Sequence, residues 1–201
     1  MNKSQKKIIK NLRTNILTLS HKAKSSHVGG CLSIVEILSV LFNNILKTST
    51  NRKKLFEDTF ILSKGHACLA LYCMLYEKKI LSKKTLLTYG ENNTLLMSHA
   101  SHYVPGVKLS TGSLGHGLPV AIGSALAAKK EKKRKNIYVL LSDGELNEGT
   151  TWESLLFAAH HKLDNLCVII DYNKLQSLTF VSKTIKLEPI VNKIKSFNCF
   201  V

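Results

Sequence analysis

Apolar side chains recur every three to four residues near the start of the chain, at Ile8, Ile9, Leu12, Ile16 and Leu19. That spacing predicts a helix over residues 3–20 with one buried stripe. A polar, glycine-bearing stretch, Ser25-Ser26-His27-Val28-Gly29-Gly30, reads as a loop. Ser33 and Glu36 stand at the spacing of a capping box and predict an apolar helix from there to about Leu46. Residues 47–58 are polar and read as a loop. Thr59–Leu62 reads as a short strand and HACLALYCMLYEK, residues 66–78, as a helix of buried type. The segment 79–108 is irregular. A glycine-rich stretch, residues 111–117, then runs into an Ala-rich helix over 118–130. Asn136–Ser142 (NIYVLLS) is a continuous apolar strand of the kind a parallel sheet covers on both faces. Residues 150–162 read as a helix, Leu166–Asp171 (LCVIID) as a second buried strand, and 196–201 as the beginning of another. Strand, helix and strand on short links predict an α/β fold, a doubly wound parallel sheet with helices on both faces.

With 201 residues, 44% of them hydrophobic and 21% charged, the chain suits one α/β domain over 1–201 with a sizeable core. No uninterrupted apolar run reaches the length of a membrane span, and the first residues lack the pattern of a secretory leader. Lys+Arg outnumber Asp+Glu by 29 to 13, giving +16. Only Arg13, Arg52 and Arg134 are arginine, the residue suited to bidentate phosphate and guanine contacts. The lysines are spread along the whole chain. A solvated basic surface is therefore expected, with attraction of small anions a further use and nucleic-acid binding not expected. Cys31, Cys68, Cys73, Cys167 and Cys199 form no C-x-x-C pair and read as reduced, mostly core thiols of a cytoplasmic protein.

The candidate chemistry begins at Asp143. It follows the strand NIYVLLS, so its carboxylate stands at the carboxyl end of a parallel strand, where open α/β sheets bind ligands. The next strand ends thirty residues later at Asp171-Tyr172-Asn173, which brings Asn173 to the same edge. An Asp oxygen, an Asn amide oxygen and a backbone carbonyl offer the hard oxygen face that magnesium prefers. Taken alone, Asp143-Gly144 is more often a turn, and an Asn after a strand such as Asn173 more often a cap or turn residue. Taken alone, His66 at the head of an apolar helix is more often a structural histidine, and His27 and His99 are ordinary loop histidines.

These residues also carry a resemblance. Ser142-Asp143-Gly144-Glu145-Leu146-Asn147-Glu148-Gly149, then Trp152-Glu153, Ala158-Ala159-His160-His161-Lys162-Leu163-Asp164-Asn165-Leu166 and Asp171-Tyr172-Asn173 resemble the thiamine-diphosphate motif of the transketolase family. Ser25–Gly30, Leu62-Ser63-Lys64-Gly65-His66-Ala67, His99 with Val104-Pro105-Gly106-Val107, and Thr111–Gly117 agree with that family in order and spacing. The resemblance runs from about residue 8 to 200. Ser142 replaces the first glycine of the usual Gly-Asp-Gly, Ser26-His27-Val28-Gly29 replaces Gly-His-Pro-Gly, and Ser98-His99-Ala100 replaces Gly-His-Pro.

The resemblance implies a thiamine-diphosphate-binding fold, its diphosphate-binding domain, shortened at the C-terminus. It implies Asp143, Asn173 and the carbonyl of Leu175 as ligands of Mg2+, with Ca2+ or Mn2+ as substitutes. It implies Gly112, Ser113, Leu114, Gly144, Glu148, Asn173 and His66 toward the cofactor, Glu148 being an acid buried near a subunit interface. His27, His66 and His99 are implied as catalytic histidines, His27 and His99 on the substrate side. The implied function is that of the N-terminal subunit of a split transketolase. Such a subunit moves a two-carbon ketol group from a ketose phosphate to an aldose phosphate in the non-oxidative pentose phosphate pathway. The implied partner is a C-terminal, pyrimidine-domain subunit that supplies the cofactor-activating glutamate, the whole forming a dimer of heterodimers. A 1-deoxyxylulose-5-phosphate synthase-like chain and a non-catalytic cofactor- or partner-binding remnant are the alternatives.

Overall fold

The computed structural model describes residues 3–47, 57–177 and 179–201, so most of the expected 47–58 loop lies outside the described residues. The chain divides into two compact units, Met1–Glu57 with Lys64–Gly112, and Asp58–Ser63 with Ser113–Val201.

The first unit is helical. Helix α1 (Lys3–Ala23) buries Ile9, Leu12, Ile16 and Leu19, the stripe read from the sequence, and packs on α2 (Val28–Leu32), α3 (Val35–Val40) and α4 (Cys68–Glu77). A π-helical turn, Leu41–Ile45, extends α3, and the short α5 (Lys83–Leu86) follows α4, with Ser82 accepting a cap bond from the Thr85 N–H. Every residue from Cys68 to Leu75 is buried, so α4 is apolar all round and forms the centre of the unit. The expected Ser33–Glu36 capping box does not form. Helix α3 starts at Val35 with Ile34 as an N-cap that makes no side-chain bond, and Ser33 donates instead to the Gly30 carbonyl at 3.1 Å. Glu36 is drawn away to the Arg13 guanidinium, whose Nη2 reaches both carboxylate oxygens at 2.7 and 2.9 Å. The 18 residues Val28–Ile45 match a membrane span in length and apolarity, with a mean hydropathy of 1.7. They are broken into three short helical pieces, and Cys31, Ile34, Val35, Leu38, Leu41 and Phe42 are core residues.

The second unit holds the sheet. β1 (Thr59–Leu62), β2 (Ile137–Ser142) and β3 (Leu166–Asp171) are parallel in the order β1-β2-β3, with Leu62 opposite Leu140 and Ser142 opposite Asp171. Helix α6 (Gly117–Lys130) packs across all three strands, and α7 (Gly149–His160) packs on α6. This is the parallel α/β arrangement that the strand–helix–strand pattern predicts. β2 is buried nearly throughout, as its apolar run requires. β3 is not the fully buried strand expected: among the described residues it pairs on one side only, most of it is half-buried, and Cys167 is exposed rather than a core thiol. Two short helices, α8 (Val181–Thr184) and α9 (Ile190–Lys195), place Val181 and Ile190 in a small core with Leu146 and Leu187, against which Trp152 and Ile170 pack. Residues 196–201, expected to begin a strand, form none, because no neighbouring ladder receives their peptide groups.

One polar residue ties this unit together. Glu145, 0% exposed, lies in the 3-10 turn Asp143–Asn147 that follows β2. Its carboxylate accepts from the Ser63 hydroxyl at the end of β1, the Gly115 N–H at 3.1 Å and the Ser142 N–H at 2.9 Å. Its own carbonyl accepts from the Thr151 hydroxyl at 2.6 Å. Removing a buried, multiply bonded carboxylate strands several donors at once. Glu145→Ala is expected to lower the unfolding free energy in urea by about 3–5 kcal/mol. A loss below about 0.5 kcal/mol, the size of an ordinary surface substitution, would remove Glu145 from this role.

Candidate functional site

In the first unit, three histidines from distant parts of the sequence come together. His27 caps α2 without making a side-chain cap bond, His66 lies in the 3-10 turn Gly65–Ala67 that leads into α4, and His99 lies in the irregular segment. The His27 ring centroid is 5.4 Å from that of His66 and 5.6 Å from that of His99. Backbone bonds fix the segments: the Ala100 N–H donates to the Gly65 carbonyl at 3.1 Å, and the Thr111 N–H to the Ala100 carbonyl at 3.0 Å. Gly112 is required by close approach, since a Cβ there would stand 2.9 Å from His99 Cδ2. Lys64 is 1% exposed, and its Nζ lies 3.9 Å from where a Cβ on Gly30 would be. Beside His27 is a cavity of about 410 Å³, lined by Lys24, Ser26, Tyr89, Glu91 and Ser98 among others.

In the second unit, Asp143 is 2% exposed and opens the turn after β2, while Asn173 and Leu175 follow β3. The structure brings them together. Asp143 Oδ2 accepts from the Lys174 N–H at 2.9 Å, so the carboxylate is bonded into the 173–175 turn. Asn173 Oδ1 accepts from the Leu175 N–H at 2.9 Å, and its Nδ2 donates to Asp171 Oδ2 at 3.2 Å. Lys174 takes a left-handed φ of 66°, and Leu175 pairs antiparallel with Phe180, which closes the turn. Among the described residues no three His, Cys, Asp or Glu side chains are grouped for a metal. The oxygen set here is a carboxylate, an amide and a peptide carbonyl, the hard donors that suit magnesium.

Next to this turn lies Gly144, half-buried. A Cβ on Gly144 would meet only ordinary contacts, at 3.8–3.9 Å from Ser142, Gln176 and Leu114. The amides of Asn147 and Gln176 bond to each other at 3.2 Å, which leaves the buried atoms Asn147 Oδ1 and Gln176 Nε2 without a partner. A buried amide N–H2 with unmet donor capacity beside this glycine fits an anionic group such as a diphosphate. Ser142 is accommodated in place of glycine because its backbone is extended, with φ −93° and ψ 164°.

The remaining expected residues are placed less centrally. Ser113 is exposed and Leu114 half-buried near Gly144. Glu148 caps α7 with no side-chain bond and is exposed in the chain, so the burial implied for it requires a second surface. The buried acids of this motif are Asp143 and Glu145, the latter not singled out from the sequence. The signal of Glu145 was in the sequence, since Ser142 and Glu145 stand at the same Ser-x-x-Glu spacing as Ser33 and Glu36. Gln176 carried no signal in composition or period, because only the turn after Asn173 brings it to Gly144.

Burial, and after it the positive charge of His99, lowers the His27 pKa below the ordinary 6.5. Both causes disfavour the imidazolium. The unfolded chain therefore takes up this proton first as pH falls through 6.5, and His27 withdraws stability below that value and none well above it. Titration of the imidazole resonances by NMR is expected to give His27 an apparent pKa below 6.5, and His99→Ala to raise it part of the way back. A His27 value at or above 6.5 would contradict this environment.

The family described as transketolase, thiamine diphosphate binding domain, matches residues 4–197. The chain is 43% identical over 194 residues to an apulose-4-phosphate transketolase subunit of Actinobacillus succinogenes, covering 94% of this chain and 69% of that one. It is 37% identical to the 6-deoxy-6-sulfo-D-fructose transketolase subunit of a Clostridium species, covering 87% of this chain and 64% of that one. It is 38% identical to human transketolase, covering 82% of this chain but 27% of that one. The transketolase structure from Campylobacter jejuni superposes with a TM-score of 0.89 at 30% identity, over 98% of this chain and 32% of that one. The chain thus spans about two thirds of the relatives named as transketolase subunits and under a third of the longer transketolases. With the strand-edge turn, Gly144 and the match over 4–197 agreeing, the chain belongs to the transketolase family and carries its thiamine diphosphate binding domain.

Proposed function

We propose that this chain is the cofactor-holding subunit of a split transketolase, and that it moves two-carbon ketol groups between sugar phosphates when joined by a pyrimidine-domain subunit. The observation that carries this reading is the turn at the carboxyl edge of β2 and β3, where Asp143 is bonded into the segment of Asn173 and Leu175 beside Gly144. Asp143, Asn173 and the Leu175 carbonyl would hold Mg2+, and Gly144 with the Gln176 amide would receive the diphosphate. Thiamine diphosphate, when bound, supplies the carbon nucleophile that adds to a ketose carbonyl and takes the electron pair released as the C–C bond breaks.

The work of this chain is positioning and proton movement. The carboxylate of Asp143 balances metal charge, and the bond from Lys174 fixes where that charge sits. His27, His66 and His99 form a cluster of imidazoles, groups that donate and accept hydroxyl protons near neutral pH. The lowered His27 pKa favours its neutral form as a proton acceptor. The exposed Glu148 gains hydrogen-bonding partners on assembly, in keeping with a role at a subunit contact within a dimer of heterodimers. The relatives named as transketolase subunits support a separate partner chain, and their names extend the substrate class from pentose phosphate pathway sugars to apulose-4-phosphate. The free cysteines support a cytoplasmic location, and no membrane or nucleic-acid partner is proposed.

Two variants test the cofactor assignment by calorimetry. Asp143→Ala is expected to abolish magnesium-dependent binding of thiamine diphosphate, a loss of several kcal/mol for a metal ligand, about 10²-fold or more in affinity. Gly144→Ala is expected to fold and melt like the parent, because the added Cβ meets ordinary contacts, while weakening diphosphate binding at least about tenfold by crowding the diphosphate. Equal affinity in parent and Asp143→Ala, with magnesium present, would end the assignment.

Assembly is tested by assaying ketol transfer from the chain alone and after addition of a pyrimidine-domain chain. Turnover is expected only in the mixture. Full turnover by the chain alone would overturn the split-enzyme reading, and cofactor binding with no turnover in the mixture would favour a non-catalytic remnant.

A further inference from the structure

We infer that Tyr72 is a positioning residue whose hydroxyl, held at the centre of α4, sets where the His99 imidazole stands. The inference rests on the catalytic reading of His99 given above. Tyr72 is 0% exposed, and its hydroxyl donates to the His99 carbonyl at 3.0 Å. One turn earlier on the same helix, Cys68 Sγ donates to the Met97 carbonyl at 3.4 Å. The two residues are separated by four positions, so they project from one face of α4 and grip alternate carbonyls of the irregular segment that carries His99. On the other side of the same peptide, the Ala100 N–H is taken by the Gly65 carbonyl at 3.1 Å. Helix α4 begins directly after the turn that holds His66, so one rigid element carries one imidazole at its start and fixes the backbone of another through its side chains.

The brace extends toward the third histidine. The Tyr72 ring meets that of Tyr89 edge to face, with centroids 6.4 Å apart and planes at 62°. The Tyr89 hydroxyl is 3.2 Å from the Ser25 hydroxyl, two residues before His27. Burial, and after it the neighbouring Cys68 thiol, pushes the Tyr72 phenol well above its usual range, which keeps it a donor at every working pH. A phenylalanine would fill the same space and keep the ring contact, yet leave the His99 carbonyl without this donor.

The experiment compares Tyr72→Phe with the parent, both in the chain joined to its partner and in the chain itself. Turnover in the mixture is expected to fall about tenfold with cofactor affinity unchanged, the scale of effect that a small displacement of a reacting group produces. The decisive measurement is a double-mutant cycle with His99→Ala. If Tyr72 acts through His99, Tyr72→Phe costs nothing further once the imidazole is gone, whereas a general structural role adds its full cost in both backgrounds. In the chain itself, Tyr72→Phe is expected to shift the NMR resonances of the His99 imidazole and leave those of His116 and His160 in place. Additive losses in the cycle, or unmoved His99 resonances, would overturn the inference. If His99→Ala alone leaves turnover intact, the catalytic reading of His99 falls, and the resonance measurement still decides whether Tyr72 positions it.

Discussion

The sheet-bearing unit depends on a carboxylate that never meets solvent. Glu145 receives donors from the end of β1, from the glycine-rich stretch before α6 and from the end of β2. The ladder fixes the register of the strands, and Glu145 adds bonds that tie together the loops leaving their carboxyl ends. A side chain with two oxygens and several acceptor sites can serve these separate segments at once. Its burial is made tolerable by hydrogen bonds such as these, which replace those lost from water. The turn that places Glu145 also places Asp143, two residues earlier, so the support of the edge and the carboxylate bonded into the 173–175 turn come from one piece of backbone.

The helical unit solves a similar problem with apolar packing. Helix α4 has no polar face to orient it, yet it must hold two loop segments in register. It does so with Cys68 and Tyr72, side chains that are apolar for most of their length and polar at the tip. Such residues satisfy loop carbonyls without bringing a charge into the core. The outcome is a set of three imidazoles, two of them within 5.6 Å of the central His27 ring, supported by a helix that is itself immobilised on all sides.

The sequence showed the elements where one physical signal dominated. NIYVLLS has only one explanation by period and length, and α1 carries an unbroken stripe, so both stand where the pattern puts them. The pattern was weaker where two partners competed for one group. Ser33 and Glu36 have capping-box spacing, but Arg13 offers Glu36 a full charge, and a charged donor outcompetes a peptide N–H. At 142–145 the same spacing is realised, and there Glu145 takes the Ser142 N–H. Cys167 looked like core because its neighbours in sequence are apolar, whereas exposure is decided by how many strands lie beside β3. Asp143, Asn173 and the histidines were legible by type and order. Gln176 and Tyr72 were not, since a buried amide and a core tyrosine look alike in any helix or turn until their partners are seen.

The polar groups of the second unit differ in whether the chain itself satisfies them: Ser142 Oγ and Asn165 Oδ1 are buried without partners, as are two amide atoms near Gly144. Glu145, Thr151 and the Trp152 indole have their partners within the chain, so the fold is satisfied at those points without a ligand. Asn147 Oδ1 and Gln176 Nε2 are buried without partners, close to a glycine where an added Cβ would meet only ordinary contacts. Buried groups with unmet capacity cost stability, and packing alone would not favour keeping them. They lie beside the segment where Asp143 is bonded into the Asn173–Leu175 turn. A bound anion neutralised by a cation would satisfy both kinds of donor and acceptor in a single arrangement, the amide donor on the anion and the oxygen set on the metal. On the proposed function, folding and loading would then be separate: the network around Glu145 builds the edge, and the unsatisfied groups would be met by the cofactor.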